Sequence, residues 1–443
     1  MRIPSIPGFD QQAFEKYLKN TGWLMLAKVG VMLVKSVVTT FALSNYLEAS
    51  QFGILNYPMT IVTFSTAIAA LGLDGFVTRE LISRPEKKEA YLGTAFILRL
   101  LAGFGTLPLV YLAYHIINSA KPLQTPFHYV LIVAFIAVVQ SVNIIDSFFQ
   151  SKVQGKYIMY VQLAGNVLST LTKLAFIVLK LPLIWFVYSL LLDAVFVAGS
   201  YLVMYQLKGN HIQRWKFDSS IAGYLLKHSW PLAFSAVLNT IYMKIDQGMI
   251  GTYLEIKQLG IYSNVANLSE SYYFIPLAVV SSVFPAIMHA RNTDQERYYK
   301  RLQNLYDLMV VLSVGAAIVL SFGSTYIYHW FLKREYWAGA PVLAVYVWAG
   351  VFAFLGVASG QYLIAEGYTK LAMLRTAAGA LVNVILNIFW IPRYGIMGAA
   401  YATLIAYGVA AFFILFIPRT RGQGIQMLKS LFLISLFQKI TNR

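Results

Sequence analysis

Apolar residues run along this chain in blocks of about 20 rather than in the short stripes of a soluble helix, with brief polar breaks between them. A block of that length crosses a hydrocarbon core of about 30 Å as a helix. The pattern predicts twelve spans, at 22–44, 52–73, 91–115, 128–149, 157–179, 183–206, 228–252, 262–288, 304–329, 338–364, 371–391 and 396–417. A last apolar stretch, Met427 to Phe437, is too short to span and is flanked by Lys429 and Lys439. It is expected as an amphipathic helix on the membrane surface.

The polar breaks carry a repeat. Tyr46-Leu-Glu-Ala-Ser-Gln-Phe-Gly-Ile54 returns at a constant offset of 207 as Tyr253-Leu-Glu-Ile-Lys-Gln-Leu-Gly-Ile261. A fainter echo pairs Gln154-Gly-Lys-Tyr157 with Glu366-Gly-Tyr-Thr369 at offset 212. Together they predict a duplication of six spans per half. An even number makes the repeats parallel, with any shared cavity between the halves. The expected organisation is a lead-in over 1–21, a six-helix lobe over 22–206, a basic linker over 207–227, a second lobe over 228–417 and a tail over 418–443. The turn repeated at Tyr46 and Tyr253 is expected to hold the first and second helices of each lobe together.

Composition agrees with a polytopic membrane protein: 443 residues, 58% hydrophobic and 12% charged. So little charge could not cover a soluble surface. The net charge of +17 reads first as topology. With the N-terminus inside, the loops on the far side hold only Lys121, Lys180, Lys257, Lys333, Arg334 and Arg393. Both termini are therefore expected in the cytoplasm, and no nucleic-acid partner is implied. The first twenty residues lack the apolar core of a cleavable signal. With no cysteine, disulfides and thiolate chemistry are excluded. The absence of HExxH and of phosphate-binding glycine loops argues against a metal site or ATP binding.

Candidate chemistry rests on charges inside the spans: Lys28, Lys35, Arg99, Lys173, Lys244 and Arg375, with Asp146, Asp193, Asp246 and Glu270. A lipid-facing ion at a helix centre costs about 2.5–3.5 kcal/mol even on the lenient insertion scale. These groups must face a wet cavity or one another. Lys28 and Lys35 differ by about 20° in azimuth and ~10 Å along a helix, a cationic ladder on one face. For residues nearer helix ends, such as Lys173, Lys244 and Arg375, snorkelling is the alternative. Asp246 follows Lys244 by two positions, so the two point to different sides of their helix. Asp193, Asp246 and Glu270 suit either coupling to H⁺ or Na⁺ or a structural hydrogen-bond network. Pro108 and Pro276 are expected to kink their helices, and Gly356-x-x-x-Gly360 matches a close-packing motif.

The chain resembles the polysaccharide-transport branch of the multidrug/oligosaccharidyl-lipid/polysaccharide exporter superfamily, the repeat-unit flippases of the Wzx type. The resemblance rests on Tyr46–Ile54, on Gly72-Leu-Asp-Gly-Phe-Val-Thr-Arg-Glu80, on Asp246-Gln-Gly-Met-Ile-Gly251 running into Leu259-Gly-Ile-Tyr-Ser263, and on Ile391-Pro-Arg-Tyr-Gly-Ile-Met-Gly-Ala-Ala-Tyr-Ala-Thr403. It implies a V-shaped pair of six-helix lobes around a cationic central cavity. It further implies alternating-access transfer of undecaprenyl-diphosphate-linked oligosaccharide across a bacterial inner membrane, with cation coupling, in O-antigen, capsule or exopolysaccharide synthesis. Polymerase and chain-length proteins would be pathway partners. Paired cations suit a diphosphate in a low-dielectric passage. At offset 207 Lys28 meets Ser235 and Lys35 meets Tyr242, so the ladder has no copy. The first lobe is then expected to grip the head group, and the second to gate and offer Tyr242, Tyr272 and Tyr273 to sugars. The alternatives are a small-molecule exporter of the same superfamily and a membrane-embedded polymerase or ligase, the latter disfavoured by short external loops.

Overall fold

The computed structural model describes residues 22–23 and 38–441. The lead-in 1–21, Lys28 and Lys35 lie outside the described residues. Among those described there is no strand. A membrane interior offers backbone N–H and C=O groups no water, so helices that satisfy their own hydrogen bonds are the expected response to this composition. Among the described residues eight stretches are long and apolar enough to cross a membrane.

After a π-helical turn, Val38–Leu43, the helices are α1 Ala49–Ala69, α2 Leu73–Ser83, α3 Lys88–Ala120, α4 Phe127–Ala134, α5 Ile144–Ser151, α6 Gly155–Val178 and α7 Leu183–Leu207. Then come α8 Ser219–Tyr253, α9 Ile256–Glu270, α10 Phe274–Thr293, α11 Gln295–Phe331, α12 Gly339–Tyr346, α13 Ala349–Ala365, α14 Thr369–Phe412, α15 Arg421–Leu431 and α16 Ile434–Thr441.

The chain forms two compact units, one of the residues up to Leu47 with Ile54–Thr240, the other of Glu48–Gly53 with Ile241–Arg443. The division falls inside α8, after Thr240, and α8 itself starts at Ser219, within the stretch expected as linker. In the first unit α2, α3, α5 and α7 close around Phe76, Tyr91, Phe148, Phe149, Tyr201 and Tyr205. In the second, α11 and α13 pack Tyr298, Tyr306, Met309 and Phe354 with Met427 of α15.

Several expectations are corrected. The repeated turn does not brace each half separately. The middle of its first copy, Glu48–Gly53, lies in the second unit, and there the two copies meet: a Cβ on Gly53 would stand 1.9 Å from the Ile256 carbonyl oxygen, and one on Gly260 1.8 Å from that of Ala49. Both copies are helix starts, and Gln51 accepts the Glu48 backbone N–H at 3.2 Å, half of a capping box.

The second echo aligns differently in space. Val153 (φ 56) and Gly367 (φ 77) are the left-handed residues of matching helix ends. In each, the next amide bonds five residues back, Gln154 N to Phe149 O and Tyr368 N to Leu363 O, the Schellman pattern. Equivalent positions are thus Val153 and Gly367. Gly155, which the strings match to Gly367, instead opens α6.

The expected span 262–288 is interrupted at Ser271–Tyr273, where hydrogen bonds of three-residue spacing separate α9 from α10. Pro276 therefore lies in the first turn of α10, where a missing N–H costs nothing, and kinks no helix. Pro108 does lie inside α3. The spans on either side of 391–396 are two helices, as expected, and α14 comprises both, divided at Gly395, whose backbone (φ 60, ψ −143) is non-helical.

The tail is not a single surface helix either. Leu433 (φ 58) divides it, and α15 docks on α11 through Ser430 Oγ to Asp307 Oδ1 at 2.6 Å and Gln423 to the Tyr306 hydroxyl. Its buried Met427 and Ser430 face protein rather than lipid.

Candidate functional site

The embedded charges find partners within their own units. In the first, Arg99 of α3 bonds Asp74 at 2.6 Å. Asp74 is the second residue of α2, two positions after Gly72, which with Leu71 is left-handed. Gly72 is required twice over, since a Cβ there would also lie 2.4 Å from the Ala233 backbone nitrogen. The aspartate sits in the first helical turn, where the backbone N–H ends favour a carboxylate.

Lys173 of α6 meets Asp193 of α7 at 2.5 Å, and Ser169 donates to the other Asp193 oxygen at 2.5 Å. Lys173 does not snorkel: its side chain is 8% exposed and that of Asp193 30%. Serine and lysine lie four residues apart, one helical turn, so both reach the same carboxylate from one face.

Around these pairs the first unit holds two cavities of about 290 and 390 Å³. One is lined by Asn166, Ser169, Lys173 and Asp193, the other by Asp74, Arg99, Asp146 and Tyr201. Gln140, Asn143 and Gln162 line both. Asp146 accepts from Gln150 at 2.9 Å.

In the second unit Lys244 of α8 approaches Glu270, the last residue of α9, at 3.2 Å, and Tyr346 donates to the same carboxylate at 3.3 Å. As expected from their spacing, Lys244 and Asp246 do not pair. Asp246 is 2% exposed; it accepts the Tyr262 hydroxyl at 2.5 Å and Thr403 at 3.3 Å. Nearer the helix ends, Arg291 grips Glu366 through two bonds of 2.8 and 3.0 Å. The bonded carboxylate holds the Arg291 pKa above its ordinary value.

Arg375 of α14 differs. Among the described residues it meets no carboxylate; its guanidinium donates to Ser359 Oγ at 2.7 Å and to the Gly356 carbonyl at 2.8 Å. The Gly356-x-x-x-Gly360 motif, expected to pack helices, instead seats this side chain: a Cβ on Gly360 would stand 3.0 Å from Arg375 Nη2. Of the tyrosines expected to offer sugar contacts, Tyr272 is in the core, its hydroxyl spent on the Val347 carbonyl at 2.9 Å, and Tyr273 packs partly buried against that core. Tyr242 stacks on Tyr407 at 4.5 Å.

Sequence reasoning missed Asp74 as the partner of Arg99, and the amides of the first unit. A signal for the amides was present. Gln162, Asn166, Ser169 and Lys173 fall at i, i+4, i+7 and i+11 in a mostly apolar helix, a polar stripe on one face.

Helices of this length and apolarity define a multi-pass membrane protein with charged and polar groups inside its lobes. The chain belongs to the polysaccharide biosynthesis protein family, whose model matches residues 42–341. Two relatives from Haloferax volcanii are a probable low-salt glycan biosynthesis flippase, Agl15, 24% identical over 42% of this chain, and a probable flippase, AglR, 26% identical over 37%. The matches span 39% and 35% of those relatives' own lengths. The fold is shared with the lipid II flippase MurJ in an inward closed conformation, at a TM-score of 0.67, 16% identity and coverage of 95% of this chain and 92% of that one. It is also shared with an inward-facing multidrug resistance MATE family transporter, at 0.70, 13% identity and coverage of 96% and 99%.

Proposed function

We propose that this protein is a flippase for lipid-linked oligosaccharide, carrying an undecaprenyl-diphosphate-type substrate from the inner to the outer leaflet of a bacterial inner membrane by alternating access. The observation that carries an anionic cargo is Arg375, an embedded guanidinium held by neutral partners. Among the described residues its charge has no counter-ion within reach, so a diphosphate would gain a charge-assisted, two-pronged contact without first displacing an acid. Arg99, Lys173 and Lys244 each have a carboxylate already. Lys244 contributes to binding by exchanging its carboxylate for phosphate, Arg99 and Lys173 keep theirs and set the charge balance of the first unit, and Lys28 and Lys35 complete the cationic set.

Twelve spans in two parallel six-helix repeats, with both termini cytoplasmic, fit this reading, as do the matching helix ends at Val153 and Gly367. Asp246, buried against Tyr262 and Thr403, is the proposed cation-coupling group, binding H⁺ or Na⁺. Glu270 and Asp193, tied to lysines, are its candidates for relaying the change. The product would pass to polymerase and chain-length proteins of O-antigen, capsule or related synthesis.

Depleting the protein should leave lipid-linked saccharide on the cytoplasmic face. Normal arrival at the outer leaflet in depleted cells would overturn the proposal. The TM-score of 0.70 to a multidrug transporter supports a second reading, export of small molecules, which is favoured instead if the chain lowers accumulation of cationic dyes.

A further inference from the structure

We infer that the two cavities of the first unit, which share Gln140, Asn143 and Gln162 in their walls, form a saccharide-binding site, a recognition element distinct from the phosphate-binding arginine and resting on the flippase reading above. The walls are built of amides and hydroxyls. Gln140, Asn143, Gln162 and Asn166 line them with Ser169, Thr170 and Tyr201.

The local structure aims these groups. Between α4 and α5 the chain tightens into a 3₁₀ turn, Gln140–Asn143. Three residues per turn place Gln140 and Asn143 above one another on one side, where both line both cavities. From across the space comes the stripe of α6. Part of its hydrogen-bonding capacity is already used: Gln162 Nε2 donates to Tyr201 at 3.2 Å and Asn166 Nδ2 to the Gln162 carbonyl at 2.7 Å. The hydrogen bonds of both amides thus run through their nitrogens, and both residues line the cavity. The Asn143 side-chain oxygen is buried and accepts no hydrogen bond from the described residues. Such an acceptor is costly unless something fills the site.

The chemistry selects the ligand class. Arg99 and Lys173 are balanced by Asp74 and Asp193, and Asp146 adds a further acid, so the walls have no positive excess with which to hold a phosphate. They offer a dense set of neutral acceptors and donors instead, with Met59, Ile136, Leu190 and Val197 as apolar surface. Alternating hydroxyls and C–H faces of a pyranose match that mixture. Cavities of about 290 and 390 Å³ lie near the lower end of the ~300–1,000 Å³ typical of small-molecule sites. That suits one or two sugar rings rather than a long chain.

The test uses the full chain in lipid nanodiscs and saturation-transfer NMR with methyl glycosides of neutral hexoses and N-acetylhexosamines as probes. At least one glycoside should receive magnetisation, and Asn166→Leu should weaken its binding about tenfold, the equivalent of one lost hydrogen bond. Thr170→Val, nearly isosteric, covers the case in which the leucine variant fails to fold, and should lower binding with an unchanged melting temperature. If no glycoside binds, or if binding is unaffected by Asn166→Leu and Thr170→Val in folded protein, the inference is overturned. The flippase reading fails separately, through normal outer-leaflet arrival of lipid-linked saccharide in depleted cells, so the two failures are distinguishable.

Discussion

Gly53 and Gly260, 207 positions apart, occupy equivalent places in a reciprocal contact: each faces the carbonyl at the start of the other's helix, Ile256 for Gly53 and Ala49 for Gly260. Two backbones meet where any side chain would intrude. Gly53→Ala and Gly260→Ala should each destabilise by at least the ~1–3 kcal/mol of ordinary overpacking, because the obstructing atoms are backbone. Gly75→Ala, exposed in α2 with nothing within 4 Å of an added Cβ, should be neutral or stabilising by up to ~1 kcal/mol. Thermal melting in detergent compares the three, and equal melting would contradict the contact.

Lys173 and Asp193 stand or fall together. Removing one partner of a buried pair leaves an uncompensated ion, a loss of ~3–5 kcal/mol when both are dry and less here, where Asp193 is 30% exposed. Asp193→Asn and Lys173→Met should each lower stability, and the double variant should recover part of the loss. Strict additivity in that cycle would show that the two are not coupled.

For Arg375, Arg375→Ala should abolish binding of inorganic diphosphate and reduce transport at least tenfold. Arg375→Lys should restore little, since an ammonium cannot serve Ser359, Gly356 and a phosphate from one plane. Calorimetry with diphosphate measures this directly. Full activity of the lysine variant would point to charge alone.

Asp246→Asn keeps the shape of the buried carboxyl while removing its charge. Transport in proteoliposomes should then lose its response to an imposed H⁺ or Na⁺ gradient. A variant that still responds would remove Asp246 from coupling.

The docked tail gives a third stability test. Ser430→Ala takes a donor from Asp307, itself 3% exposed, and should cost about 1–3 kcal/mol. Ser435 also donates to this carboxylate, so Ser430→Ala/Ser435→Ala should cost more than either alone. No loss in the double variant would show that α15 and α16 do not depend on Asp307.

Much was legible in the sequence because its causes are local. Apolar blocks of membrane length determined a helical multi-pass chain, since a backbone in hydrocarbon must bond to itself. The repeated turn, the break near 391–396 and the cost of embedded charge also follow from residues close in sequence. Which charges meet was decided only by tertiary structure. Arg99 and Asp74, Lys173 and Asp193, and Lys244 and Glu270 lie on different helices, and helical spacing fixes a residue's face but not the helix opposite it. The same holds for Gly360, whose missing side chain makes room for Arg375, and for Gly53 and Gly260. The strings showed that the two turns are alike, but only packing brought them into contact, because a close backbone approach depends on what arrives from elsewhere in the chain.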